Sequence, residues 1–440
     1  MSERSRELVR YVLPSLLSSV SIFLFTIVDG VFVGRGIGGE ALAAINIVFP
    51  YVMIFTAALL CTSVGGMTVC AIRMGRGDTE GANRVFRYSF WADVAIGSVM
   101  SVVGTVFAGP IVRLLGATES FYQYAYDYQF WYSLFLLPCG LMTALGGFCR
   151  NDGSPGLVSA VTVATIVLNI IGDWLLIFPL GLGTAGAAIA TVGSQTVGAI
   201  LLLLLHFARR RGVLTIGRIR REEGLFGRIL LRGLPECVAQ FSAPVSIILM
   251  NRILGEELGD AAVKSFAIIG YVASFAVASF AGISEGLQPL FGRCYGAGKK
   301  DDLHYYLNWG LAGSFIGSVI IIVALYFVSD PVCDLYAADA ETRAVTLVWM
   351  PRYSWGFAVE ALNVIASSYL YSTTHTREAL TVNVLRSFVL DTLVTLAMIP
   401  LFGRDRIWYS FLAYEGLVLI VSAFLLIRSE RRGILAGAKE

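Results

Sequence analysis

Four oxygen-bearing side chains lie inside long apolar segments, where ionisable groups are rare. Counted from the segment ends, Asp29, Asp173 and Thr191 share about the same depth in the outer half of the membrane, and Asn169 lies one helical turn before Asp173 on the same face. Two buried carboxylates close together cannot both stay charged without a cation, so the set predicts a site for a proton or a sodium ion. In the alternative, each group bonds neighbouring backbone, or Asp29 faces outer water.

A second group of acidic residues follows in the later half of the chain. Some of them lie near mid-depth and others toward the cytoplasmic side, where they could line a cleft and attract a cationic substrate. They could equally pair with Arg386 or Arg352 as internal struts. These candidates for a substrate cleft are Glu360, Asp391, Glu415, Glu236 and Glu285.

The composition places most of the chain in lipid. Apolar residues make up 56% of the 440 residues and charged residues 15%, and mean hydropathy is +0.73. The net charge of +2 gives no indication of a nucleic-acid partner. Seven scattered cysteines and three distant histidines predict no disulfide, metal centre or cofactor, and no cleavable signal peptide is expected.

The elements that must position these residues are apolar runs long enough to cross the hydrocarbon core. Barrel strands would be half as long and would alternate, so an all-α polytopic membrane protein with twelve transmembrane helices is predicted. The predicted spans cover residues 11–34, 45–71, 88–115, 125–148, 157–179, 184–207, 229–251, 263–291, 303–328, 345–371, 379–401 and 408–427.

Positive charge is distributed unevenly between the two sides. The termini, the even-numbered loops and the adjoining span ends hold 24 Lys and Arg residues, against 7 on the odd-numbered side. Both termini are therefore predicted to be cytoplasmic. No loop has room for a nucleotide-binding domain and no GxxxxGK[ST] motif occurs, which argues against direct use of ATP.

The chain divides at its longest cytoplasmic loop into two sets of six spans. The predicted organisation is an N-lobe over 1–207, a linker over 208–228 and a C-lobe over 229–440. At an offset of 221, three prolines coincide between the halves: Pro14 with Pro235, Pro110 with Pro331, and Pro179 with Pro400. Because six is even, the two lobes should be related by a pseudo-two-fold axis along the membrane normal, an arrangement typical of transporters that work by alternating access.

The same offset makes the candidate cation site specific to one lobe. The positions that correspond to the four polar residues all carry apolar side chains. They are Met250, Leu390, Val394 and Leu412. The site is therefore predicted in the N-lobe alone.

Several motifs together resemble the multidrug and toxic compound extrusion (MATE) family, in particular its MepA-like branch. They are Val28-Asp-Gly-Val-Phe-Val-Gly-Arg35 followed by Glu40-Ala-Leu-Ala-Ala-Ile-Asn46, Arg150-Asn-Asp-Gly153, Asn169-Ile-Ile-Gly-Asp173, Gly183-Thr-Ala-Gly-Ala-Ala-Ile-Ala-Thr191, and Gly282-Ile-Ser-Glu-Gly-Leu-Gln-Pro289.

The resemblance implies a two-lobed, twelve-helix antiporter that exports cationic and amphipathic drugs in exchange for sodium ions or protons. The family's N-lobe cation site falls on Asp29, Asn169, Asp173 and Thr191. It further implies a monomer in the cytoplasmic membrane of a bacterium, with small organic molecules and the lipid bilayer as its only expected partners.

The sequence fits three other classes of protein less well. A major-facilitator exporter also has six plus six spans, but the loop Arg73-Met-Gly-Arg-Gly-Asp78 lacks that family's usual pattern. A lipid or polysaccharide-precursor flippase of the same superfamily would be expected to have a strongly basic cleft. An intramembrane enzyme would need a nucleophile, base or metal set, and the sequence offers none, so no catalytic residues are predicted.

Overall fold

The computed structural model describes residues 2–336 and 339–436, of which the great majority are helical and none forms a strand. Short π-type segments (Leu203–Ala208 and Leu385–Leu390) and a 3-10 segment (Arg404–Tyr409) continue some of the helices. The helices are α1 (Glu3–Gly36), α2 (Gly39–Gly75), α3 (Thr79–Val106), α4 (Ala108–Leu114), α5 (Glu119–Leu134), α6 (Leu136–Asn151), α7 (Pro155–Ile177), α8 (Gly183–Leu202), α9 (Leu225–Ala239), α10 (Ser242–Glu257), α11 (Asp260–Gly296), α12 (Lys300–Leu335), α13 (Ala340–Tyr353), α14 (Gly356–Ser372), α15 (Thr376–Val384), α16 (Asp391–Phe402) and α17 (Ser410–Ala436).

Within the described residues, ten helices are long and apolar enough to cross a membrane. The predicted fourth span is formed by α5 and α6, which are bent by 56° where they meet, and the predicted tenth span by α13 and α14. The prediction of an all-α polytopic membrane protein is confirmed.

Two predicted spans are interrupted for the same local reason. Pro110 has no N–H to donate to the carbonyl of Val106, and α3 ends at that residue. Pro138 likewise cannot bond the carbonyl of Leu134, where α5 ends. Each helix therefore stops four residues before its proline, and a new helix starts within two residues.

The residues form two compact units. The first runs to Cys237 and includes Gly292–Gly298, and the second comprises Val238–Phe291 and resumes at Lys299. The predicted linker 208–228 and helix α9 up to Cys237 therefore belong to the first unit. The second unit has a core rich in aromatic side chains, which includes Phe266, Tyr353 and Trp408.

The end of α2 meets the last residues of α11 in the first unit, and the contact is reciprocal. A Cβ atom at Gly75 would overlap the backbone carbonyl of Arg293, and one at Gly296 would overlap that of Ile72. Positions 72 and 293, and positions 75 and 296, are each separated by 221. The two helix ends thus exchange equivalent contacts, as in a two-fold-related interface, at the offset that the prolines predict.

Small residues let α7 and α8 approach each other closely. A Cβ at Gly172 would lie 3.0 Å from the Cβ of Ala190, and one at Gly198 would meet the Thr165 methyl group. In lipid, close backbone approach is a main source of helix association because apolar burial contributes little. This packing brings the polar face of α7 against Thr191 on α8.

Candidate functional site

Helices α1 and α7 bring two carboxyl groups together. Asp29 on α1 and Asp173 on α7 lie within hydrogen-bonding reach of each other. Asp173 is fully buried, whereas Asp29 is partly exposed. The structure therefore places the two acidic residues at one site, as their depths in the sequence predict.

The remaining two predicted residues join the same helices. Asn169 lies one turn before Asp173, is 2% exposed, and donates through Nδ2 to Thr191 Oγ1 at 3.3 Å. Because Asn169 makes this hydrogen bond through its Nδ2 group, its Oδ1 atom does not accept a hydrogen bond from Thr191. All four residues therefore lie on three packed helices of the first unit.

The oxygen atoms of this set lack donors. Among the described residues, no donor bonds to Asp29 Oδ1, to either carboxyl oxygen of Asp173, or to Asn169 Oδ1, although all four atoms are buried. Burial of an ionised carboxylate without a partner is costly, and two neighbouring carboxylates repel each other. A proton shared between the carboxyl groups, or a hard cation such as sodium held by these oxygens, would remove both costs.

Two tyrosines lie beside the acidic pair. Neither is among the site residues predicted from the sequence. Tyr128 on α5 is close enough to interact electrostatically with both Asp29 and Asp173. Tyr132, one turn later, interacts in the same way with Asp29. The two rings stack at 5.6 Å. Their one-turn spacing within the predicted span 125–148 places both on one helix face. Because aromatic residues are abundant throughout the chain, that spacing alone does not distinguish them from packing residues.

The second unit contains a different arrangement of buried charge. The Arg386 guanidinium donates through Nη2 to Glu360 Oε1 and through Nε to Glu415 Oε1, each at 2.6 Å. Asn363 Nδ2 also donates to Glu415 Oε2 at 2.7 Å. Glu415 is fully buried and Glu360 is 5% exposed. These acidic residues therefore have a fixed cation of their own, which is the strut arrangement left open by the sequence.

Among the described residues, the other three cleft candidates make no hydrogen bond to Arg386. Asp391 accepts hydrogen bonds from Ser246 and from Thr395. Glu236 is in the first unit and Glu285 in the second; both are partly buried and each has a partner. A role in substrate binding for these five residues stays a prediction.

A further buried acid, Asp93 on α3, was missed by the sequence analysis. It is 1% exposed and its carboxyl group accepts a hydrogen bond from Thr62. Its position inside the predicted span 88–115 was a signal, since an ionisable residue there is expensive. No group of three or more metal-binding side chains is present in the part of the chain that the structure describes.

Comparison with known proteins identifies the family. The MatE family model matches residues 14–175 and 235–396, two stretches separated by the offset of 221 found in the prolines. An FAD transporter of Shewanella oneidensis is 26% identical over 79% of this chain and 77% of its own length. The multidrug export protein MepA of Staphylococcus haemolyticus is 21% identical, with 97% of this chain and 94% of the relative covered.

Solved structures share the fold. An outward-facing structure of a multidrug resistance MATE family transporter superposes with a TM-score of 0.91 at 20% identity, covering 97% of this chain and 96% of the other. A MOP superfamily transporter from Pyrococcus furiosus gives 0.91 at 19% identity, with 100% and 98% covered. The twelve-helix, two-lobed fold is thereby confirmed. The match to the family model and the named relatives make the chain a transporter and not an enzyme. It belongs to the MATE family, in its MepA-like branch.

Proposed function

We propose that this transporter is a secondary active antiporter that exports cationic and amphipathic organic compounds in exchange for protons or sodium ions by alternating access. The coupling ion binds Asp29 and Asp173, with oxygen atoms of Asn169 and Thr191 as further ligands. The observation that carries this proposal is the set of buried carboxyl oxygens without donors in the first unit.

The acidic pair alternates between a neutral and an anionic state. With a proton or sodium ion bound, the pair can remain buried; after release, at least one carboxylate needs a new cation or water. Binding of the ion and of a cationic cargo thus become alternatives. Such mutual exclusion is the thermodynamic requirement for exchange.

Relatives support the substrate class. Besides MepA, a Bacillus subtilis relative, 24% identical over 77% of this chain, is named a probable multidrug resistance protein. The buried charge in the second unit points the same way, since Glu360 and Glu415 outnumber Arg386. Both termini are proposed to lie in the cytoplasm and the membrane to be the bacterial inner membrane.

A second candidate cargo is an anionic dinucleotide, because the relative from Shewanella oneidensis is named an FAD transporter. Arg386, the buried cation of the cluster in the second unit, already binds two carboxylates. That arrangement leaves it less able to hold a phosphate. The same reasoning disfavours a flippase for anionic lipid or polysaccharide precursors, and the family match replaces the major-facilitator alternative.

Efflux from proteoliposomes tests the proposal. Purified protein is reconstituted, a pH or sodium gradient is imposed, and efflux of ethidium is compared with efflux of FAD. D29N and D173N should lose gradient-driven ethidium efflux while keeping the elution volume and melting temperature of a folded protein. D93N makes the same change at a buried acid outside the site and should retain efflux.

Three results would count against the proposal. Wild-type efflux by D29N or D173N would remove that residue from coupling. Efflux indifferent to both gradients would remove the antiport mechanism. Gradient-driven efflux of FAD but not of ethidium would replace the cationic substrate class.

A further inference from the structure

An irregular segment of the first unit, residues 212–222, follows the surface of α3, and we call it the strap. Asn83 Nδ2 donates to the carbonyl of Val213 at 2.8 Å, and Arg87 Nε to that of Thr215 at 3.0 Å. Trp91 Nε1 donates to the carbonyl of Gly217 at 2.9 Å. The strap is therefore fixed at three successive points along one helix.

The register of these contacts follows from chain geometry. Two residues of extended chain advance about 6.6 Å, and one turn of helix advances about 5.4 Å. Strap residues two apart can therefore meet helix residues four apart, which is the observed pattern. The start of the strap is fixed as well, because the backbone N–H groups of Val213 and Leu214 donate to the Asp152 carboxylate at 2.9 and 3.0 Å.

This course takes the strap toward lipid. Asn83 precedes the predicted third span, 88–115, whereas Trp91 lies inside its first turn, at the depth where tryptophan prefers the membrane interface. The strap side chains Val213, Ile216 and Ile219 are 40–47% exposed. Of these, Ile219 lies beside Trp91, and an apolar side chain held outward at that depth faces the bilayer boundary.

The linker 208–228, which contains the strap, has a large excess of positive charge. It contains seven arginines and two glutamates. Glu222 is neutralised internally by Arg73 and by Arg228, and these guanidinium groups hold its pKa below the ordinary value. Arg218 makes no hydrogen bond or ion pair within the described residues, so its charge is available to a ligand.

A groove joins these two properties. It is a shallow, open groove with a volume of about 500 Å³, lined by Trp91, Gly217, Arg218 and Ile219. Its lining atoms are almost entirely apolar, so Arg218 contributes mainly carbon atoms to the lining itself. We propose that this groove binds an anionic phospholipid, with an acyl chain against Trp91 and Ile219 and the phosphate at Arg218. Arg221, three residues further along the strap, adds a second positive charge to the same segment.

A bilayer lipid is favoured over an acidic protein or peptide. The apolar side chains lie at the level of the predicted span boundary, where lipid is the neighbouring molecule, and the excess arginines match the negative charge of the cytoplasmic leaflet. The site lies on the linker and α3, apart from Asp29 and Asp173, so it does not depend on the proposed coupling mechanism.

Native mass spectrometry of the detergent-purified protein tests this inference. Dioleoyl phosphatidylglycerol is titrated in parallel with dioleoyl phosphatidylcholine, which has the same acyl chains and no net charge. The wild-type protein should retain phosphatidylglycerol preferentially. R218Q/R221Q should weaken that retention by about 25-fold, since each basic side chain near the surface contributes about fivefold.

The matched control is R209Q/R211Q, which removes the same charge from the same linker outside the groove and should retain the lipid. D173N should retain it too, which separates this inference from the proposed function. If R218Q/R221Q does not fold, R218Q alone carries the test with a loss of about fivefold. Equal loss in both double variants, no loss in R218Q/R221Q, or equal retention of the two lipids would overturn the proposal.

Discussion

Each of the two units brings two acidic side chains together, but only one pair has a positive charge beside it among the described residues. In the first unit, Asp29 and Asp173 face each other without a donor among the described residues. In the second, Arg386 lies between Glu360 and Glu415. The first pair is therefore the one that we propose to bind a mobile cation, whereas the second carries a permanent one, which suits it to a structural role.

Alignment of the two repeats shows the same contrast from the side of the second unit. At the offset of 221, the cluster residues Glu360, Arg386 and Glu415 correspond to Cys139, Thr165 and Ser194, none of which carries a fixed charge. Each repeat thus has its charged group at positions where the other has none. The repeats share three proline positions, but they do not share their buried charges.

The largest expected effect is on transport through the first-unit pair. D173N should lower gradient-driven ethidium efflux by about 100-fold or more, because a charged ligand of the coupling ion is lost. E415Q removes a carboxylate of the strut and no proposed ligand of the coupling ion, so it should lower stability and leave efflux per folded molecule within about threefold of the wild type. Initial rates from proteoliposomes decide between them; a loss in E415Q as large as that in D173N would abolish the contrast.

The next effect is on stability and should run in the opposite direction. R386M leaves two buried carboxylates without their cation and should lower the free energy of unfolding by about 3–5 kcal/mol. The triple variant E360Q/R386M/E415Q should recover most of that loss. D173N should leave stability unchanged or raise it. Thermal unfolding in detergent measures all three, and an R386M protein as stable as the wild type would contradict a strut.

A smaller effect distinguishes the two coupling ions. T191V keeps the shape of the side chain and removes its oxygen. If sodium is bound, the sodium concentration for half-maximal efflux should rise about tenfold, which is the usual value of a hydrogen bond or ligand to a charged group. If a proton is bound, T191V should behave almost as the wild type, since the two carboxyl groups alone hold it. T196V, one turn beyond the site on α8, serves as the control.

The smallest effect concerns a contact that the repeats share. G75A and G296A should each destabilise the protein by about 1–3 kcal/mol, and by similar amounts, because each Cβ overlaps a carbonyl at an equivalent position. G193A, where a Cβ would meet no atom within 4 Å, is the control. Clearly unequal melting temperatures for G75A and G296A would show that the contact is not equivalent.

The helices and the grouping of the first site were accessible from sequence for a simple reason. Apolar length is a local property, and depth follows from a fixed rise per residue, so Asp29, Asp173 and Thr191 could be assigned to one layer. The i, i+4 spacing added Asn169. These inferences need no knowledge of which helices are neighbours beyond their shared lobe.

Other structural features depend on how the helices are rotated about their axes, or on a single proline that lacks a backbone N–H. The choice of Arg386 over Arg352 as the partner of Glu360 is set by how three helices are turned toward one another, which hydropathy does not report. The division of the third and fourth spans follows from Pro110 and Pro138, each inside an otherwise continuous apolar run. The attachment of the linker to α3 depends on matching an extended chain to a helix, and charge counts alone cannot show it.

The crossing of Gly75 and Gly296 has an evolutionary consequence. Because Gly75 packs on the backbone of Arg293, and Gly296 on that of Ile72, the equivalent residue, the single chain holds internally a self-complementary patch of the kind through which two identical halves would dimerise. A half-length ancestor would have needed only one such glycine to make both contacts. The candidate ion site differs between the two repeats, whereas this patch has to keep glycine at both positions.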